Sequence, residues 1–220
     1  MTSSSITRLI SSFVKAILPP PPRSLDGGET AETVVFDFDI SGSMASQDIE
    51  PSRLEAAKRA ASAYIRERRR RNTPDLVSCV VFESAAEILC ANVSIRAAGT
   101  AFFPILKSVS PRGGTDIASG LLAAESVLSS SPRSVQAKVI LLSDGEDGGT
   151  AWSEPADRLK QAGVVIYCIG VGGRPEDIDP CLKNIASTVN GVLQYRFIKD
   201  ADTLANHFQE IAMGLTRIRS

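Results

Sequence analysis

A single histidine stands among the 220 residues, and that scarcity argues against imidazole-based zinc chemistry and against a Ser-His-Asp triad. An excess of charge is also missing. Lys plus Arg number 24 and Asp plus Glu 25, a net charge of −1, so nothing global points to nucleic acid or to an acidic partner. No apolar run approaches the roughly 18 residues of a membrane span. The four cysteines, at 79, 90, 168 and 181, form no C-x-x-C pair. Cys79 and Cys168 lie inside apolar runs and read as small core residues, so reduced structural thiols are expected rather than a redox motif. No internal repeat interrupts the chain.

What is present suits one α/β domain. The hydrophobic fraction of 43% can build a substantial core over this length. Ahead of it, Ile6, Leu9, Ile10, Phe13, Val14, Ile17 and Leu18 recur at three- and four-residue spacings, predicting an amphipathic helix over residues 1–22 that stops at Pro19–Pro22. Lys15 breaks what would be a signal-peptide core, and no small-residue cleavage site follows. That helix is expected to pack on the domain or on a second copy, with docking to a membrane surface or to a partner as the alternative. Its two basic residues, Arg8 and Lys15, are few for a membrane-surface anchor. Residues 23–31 are polar and Gly-rich, a linker, and 32–220 make the domain.

Within the domain, strands and helices alternate. Strands are predicted near 33–39, at Leu76–Phe82, Ala86–Val93, Val139–Leu142, Val164–Val171 and Val192–Ile198. Helices are predicted from Pro51 to about residue 70, after Gly113-Gly114, near 153–162 and 178–188, and at the end, where Leu204, Phe208, Ile211 and Leu215 share a face. The turn at Glu83-Ser84 is too short for a parallel crossover, so the strand after it is expected to run antiparallel. The implied fold class is a doubly wound, mostly parallel six-stranded sheet with one short antiparallel edge strand and helices on both faces. The run Arg66–Arg71 closes a helix, where cations complement the dipole, and reads as a solvated helix end, with a phosphate or nucleic-acid contact patch as the alternative.

Three segments carry chemistry. Val34-Val35-Phe36-Asp37-Phe38-Asp39 ends an apolar strand on an acid, and Ser41 and Ser43 follow at spacings of two and four. Gly113-Gly114-Thr115-Asp116 and Leu142-Ser143-Asp144-Gly145-Glu146 add a further hydroxyl and a further acid. Ligands of open α/β sheets bind beyond the carboxyl ends of strands, and hard oxygens of this kind suit Mg²⁺. Taken singly, each has an ordinary alternative. Asp39 can cap a loop, Ser41 and Ser43 can satisfy turn amides, Thr115 can N-cap the next helix with Asp116 beside it, and Asp144-Gly145 can be a turn. Asp48, Asp116, Glu146 and Asp147 read as charges around the rim, and Trp152 as a packed helix start.

The set D-x-S-x-S, distant Thr, distant Asp resembles the metal-ion-dependent adhesion site of von Willebrand factor A-type domains, bacterial ones included, over roughly residues 32–215. The resemblance implies Mg²⁺ or Mn²⁺ held at Asp39, Ser41, Ser43, Thr115 and Asp144. The serines would bind directly, the threonine directly or through water, and the acids mostly through water. It also implies a non-enzymatic, protein-binding role in which an Asp or Glu of a partner completes the ion's shell. Relatives that work beside ring-forming AAA-type ATPases or in stress-response assemblies suggest such a partner. The absence of a signal and the plain strand composition suggest a bacterial cytoplasmic protein. One rival reading remains from another class. Asp37-Phe38-Asp39 also resembles the D-x-D nucleophile motif of haloacid-dehalogenase-type, Mg²⁺-dependent phosphatases, in which Asp37 would be phosphorylated and Asp39 would be the general acid/base. That reading leaves Ser43 and Thr115 without roles and finds Val171 where an acid is expected.

Overall fold

Strand β1, Glu32–Asp39, is buried at every residue, as an apolar run covered on both faces must be. In this computed structural model residues 31–132, 136–145 and 150–214 are described, the side chains of 177–179 excepted. The expected N-terminal helix, residues 23–30 of the linker, Glu146, Asp147 and Leu215 lie outside the described residues. After β1 a 3-10 turn at Gly42–Ala45 leads to α1 (Arg53–Arg70), β2 (Leu76–Phe82), β3 (Ala86–Ser94) and α2 (Ala98–Ser108). Then come α3 (Ile117–Ser130), β4 (Gln136–Ser143), α4 (Ser153–Gln161), β5 (Val165–Val171) and α5 (Pro175–Ile185). A two-residue pair, β6 (Thr188–Val189) and β7 (Val192–Leu193), precedes β8 (Tyr195–Ile198) and α6 (Ala201–Ala212).

The six-stranded sheet has the order β3-β2-β1-β4-β5-β8. Its strands are parallel except β3, which returns antiparallel along β2 as the tight turn requires. Strand alternation divides the core into two layers. Val34, Phe36 and Phe38 face α1, α2 and α6, where Phe36 is ringed by Tyr64, Phe102 and Phe208 at centroid distances of 5.4, 5.6 and 6.2 Å. Val35 faces α3, α4 and α5 with Val80, Phe82, Val139 and Leu141. From β1 the strand order proceeds to β2 on one side and to β4 on the other, so the carboxyl ends of β1 and β4 border the crevice where such folds bind ligands.

Three expectations change in detail. Helix α2 has no counterpart in the sequence reading. The predicted strand 192–198 divides, its first two residues forming a hairpin with Thr188–Val189 and only Tyr195–Ile198 joining the main sheet. The arginine run is not uniformly solvated: Arg68 points inward and is 3% exposed. It pairs with Asp75 at 2.5 Å and donates to the Ala212 carbonyl at 3.1 Å. Arg70 and Arg71 pair with Glu67 on the surface, as a helix end would. The four cysteines are free thiols.

Candidate functional site

The last residue of β1 is Asp39, and the chain turns there because its side chain accepts the Ser41 backbone amide at 2.7 Å. A 3-10 turn follows, closed by Met44 N–H to the Ser41 carbonyl at 3.0 Å and anchored by the fully buried Met44. This places the hydroxyls of Ser41 and Ser43 on one side, 3.0 Å apart. From the end of β4, Asp144 reaches the same point. Its Oδ1 lies 2.8 Å from Ser43 Oγ and 3.5 Å from Ser41 Oγ. Ser143, one residue earlier, donates to Asp39 Oδ2 at 2.6 Å and ties the two strand ends together.

The Gly113-Gly114-Thr115 segment is drawn alongside by Gly42 N–H to the Gly113 carbonyl at 3.2 Å and Arg112 N–H to the Ile40 carbonyl at 2.6 Å. Thr115 stands beside Gly145, whose Cβ, if it had one, would lie 3.2 Å from Thr115 Oγ1. Asp116, not Thr115, caps α3, accepting the Ser119 amide at 3.0 Å. The capping role considered for the threonine is thus filled by its neighbour. All five sequence-predicted residues are gathered at the crevice, Thr115 through its contact with Gly145.

Burial pushes the Asp39 carboxyl up to about 6, against hydrogen bonds from Ser143 and Ser41 that hold it down, and the charge of Asp144 adds a further upward push. Asp37 differs in kind. It is fully buried beneath α3 with neither carboxyl oxygen hydrogen-bonded. Burial, then the charge of Asp39, drives its carboxyl well above the ordinary range. A Cβ on Gly120 would lie 2.8 and 2.9 Å from its two oxygens, so the α3 backbone closes over it. A phosphate ester has no path to Asp37, and the phosphatase reading is left without a reachable nucleophile.

Sequence reasoning missed Arg53. It is 8% exposed, donates Nη1 to Asp144 Oδ2 at 2.6 Å, and grips Asp48 with Nε and Nη2 at 2.8 and 2.7 Å. One signal was available. Arg53 is the first residue of α1, where the helix dipole disfavours a cation, so its place there calls for a specific anionic partner.

The donor set suits a divalent cation. With Mg–O distances near 2.0–2.1 Å, adjacent ligands of an octahedron stand about 3 Å apart. Ser41 Oγ, Ser43 Oγ and Asp144 Oδ1 form a triangle with edges of 3.0, 2.8 and 3.5 Å, which fits one octahedral face. Among the described residues no three His, Cys, Asp or Glu gather as a metal cage, so this is a hydroxyl-rich set with few charges.

Comparison with known proteins agrees with the architecture. The chain is 28% identical over 199 residues to the mouse calcium-activated chloride channel regulator 3A-1, covering 88% of this chain and 20% of that protein. It is 32% identical over 141 residues to the horse calcium-activated chloride channel regulator 1, covering 63% and 14%. The chain thus spans a fifth or less of the curated relatives it matches. Among solved structures, BatB from Bacteroides thetaiotaomicron superposes with a TM-score of 0.65 at 25% identity, covering 83% of this chain and 98% of that one. The PilB minor pilin from Streptococcus sanguinis shares the fold, with a TM-score of 0.71 at 16% identity and coverage of 87% and 63%. Residues 34–146, a span that holds Asp39, Ser41, Ser43, Thr115 and Asp144, match the von Willebrand factor type A domain, and the chain belongs to that family.

Proposed function

We propose that this protein is a metal-dependent protein-binding domain rather than an enzyme, and that it docks an Asp or Glu of a partner at the crevice beyond β1 and β4. The observation that carries the reading is the oxygen triangle of Ser41, Ser43 and Asp144, whose edges suit an octahedral cation. Relatives of the same fold that are named as a minor pilin and a pilus adhesin support a protein partner. Ser41 and Ser43 would offer neutral oxygens to Mg²⁺ or Mn²⁺, with Thr115, Asp39 and Asp144 around them. Bound there, the cation supplies positive charge that these ligands only partly neutralise. Ser143 and the Ser41 amide hold the Asp39 carboxylate in place, and Met44 fixes the turn that aims both hydroxyls. A ring-forming ATPase or a stress-response assembly is the proposed kind of partner. The proposed location is the cytoplasm, in keeping with four free thiols.

The test is Mn²⁺ binding by calorimetry and electron spin resonance. Wild type is expected to bind one ion. Thr115→Ala should bind more weakly, and Ser43→Ala combined with Asp144→Ala should not bind at all while circular dichroism shows the fold retained. Wild-type affinity in the folded double variant would overturn the site. Loss of binding in Asp37→Ala but not in Thr115→Ala would restore the phosphatase reading.

A further inference from the structure

Arg53 sits where a simple ligand set would not need it. Its guanidinium lies between two carboxylates, Asp144 on the ion side and Asp48 on the rim, and uses all three nitrogens on them. The slot is shaped for it. Gly172, at φ +64°, brings its backbone so close that a Cβ would fall 2.0 Å from Arg53 Nε, so only glycine leaves room. Asp144 is therefore a divided carboxylate, with Oδ1 beside the serine hydroxyls and Oδ2 neutralised by Arg53.

We infer that the Asp48–Arg53 pair sets the charge balance of the site: Arg53 offsets the charge of Asp144, weakening the hold on the cation while leaving it more attractive to a partner's carboxylate. This rests on the metal-docking reading. The physical reason is Coulombic. A fixed positive charge bonded to the carboxylate that would face the ion would repel the cation and attract an incoming anion, and such an effect is large where water is excluded. Asp48, with its side chain 44% exposed, opposes Arg53 without touching the hydroxyls, so it adjusts the same balance in the other direction. Two single substitutions therefore form a charge ladder around wild type. Arg53→Gln makes the site one unit more negative, and Asp48→Asn one unit more positive.

The experiment measures two affinities on each protein at one pH and low ionic strength: Mn²⁺ by calorimetry, and acetate on the Mn²⁺-saturated protein by paramagnetic broadening of its ¹³C signal. Arg53→Gln is expected to bind Mn²⁺ about tenfold more tightly and acetate about tenfold more weakly, and Asp48→Asn to shift both in the opposite sense. Arg53→Lys, which keeps the charge but not the fork, should bind acetate like wild type. If Arg53→Gln weakens both ligands together, Arg53 merely props Asp144 and the proposal is overturned. Equal affinities across the ladder overturn it as well, while leaving the metal reading intact. If wild type binds no Mn²⁺, the metal reading falls and takes this inference with it.

Discussion

Asp37 and Asp39 share a strand face two residues apart, yet their surroundings give them different chemistry. Asp39 accepts hydrogen bonds from Ser143 and the Ser41 amide that favour its charged form, and Asp37 accepts none. A carboxyl whose folded value is raised binds a proton in the native state that the unfolded chain has already released. Its contribution to stability is therefore complete below about pH 4 and is lost as pH rises toward the folded value, with a slope of up to about 1.4 kcal/mol per pH unit. Replacing Asp37 with Asn removes that titration. In urea unfolding with a chelator present, Asp37→Asn should gain on wild type as pH rises above about 4, and a difference that does not change with pH would show that Asp37 is ionised in the fold. Sequence alone displayed both acids and could not separate them, because the distinction comes from Gly120, which lies 83 positions after Asp37 and closes over it. Arg68 was hidden for a similar reason. It lies four positions after the inward-facing Tyr64, but a cation in an arginine run reads as solvated until Asp75 and the end of α6 are seen to meet it.

At the scale of elements, helix α3 shows how closely site and core are joined. Its Gly120 packs on β1 and β2, where a Cβ would meet Phe82 Cδ1 at 2.6 Å as well as the Asp37 oxygens. Helix propensity alone would make Gly120→Ala favourable by about 1 kcal/mol. Overpacking a filled core costs about 1–3 kcal/mol, and here one of the obstructing groups is the fully buried Phe82 ring, so packing prevails. Gly120→Ala should lower stability by about 1–2 kcal/mol in chemical denaturation, and a more stable variant would mean that α3 can lift from the sheet. Most elements were legible because their patterning is strong: β2 and its return strand follow from an apolar run and a tight turn, and the inward face of α1 is the one its spacing predicts. Helix α2 was not legible, since it opens on Ala-Gly-Thr with no side-chain cap and contains Pro104. Asn190-Gly191, both at positive φ, is a hairpin signal that splits the run 188–198 and was overridden by the length of the apolar stretch. In α3, Leu121 is fully buried while Leu122 beside it is 48% exposed, so the inward stripe is narrower than its leucines suggest.

Across the whole molecule, β1 carries a charged cluster at each end. At its start, Glu32 accepts from Lys138 at 2.8 Å and from Tyr64 at 3.0 Å, in a buried network that also holds Arg68 and Asp75. At its end lies the Asp39 cluster. The starting network is complete within the chain, its charges paired and hydrogen-bonded. The other end gathers Ser41, Ser43 and Asp144 from positions about a hundred residues apart, as the separations of 101 and 103 show. An unfolded chain cannot assemble that set, so a cation bound there acts on the native state alone and stabilises it by mass action. At a hundredfold excess over the dissociation constant the gain is about 2.7 kcal/mol. For a domain of this size each kcal/mol raises the midpoint by roughly 2–4 °C, so saturating Mn²⁺ should raise Tm by roughly 5–10 °C over the chelated protein. Asp144→Ala removes the contribution of β4 to the set, and its Tm should not respond to Mn²⁺. An equal rise in both proteins would place the ion elsewhere on the surface. A rise in wild type alone would tie the carboxyl ends of β1 and β4 to one cation, and with it the order of the sheet to what the protein binds.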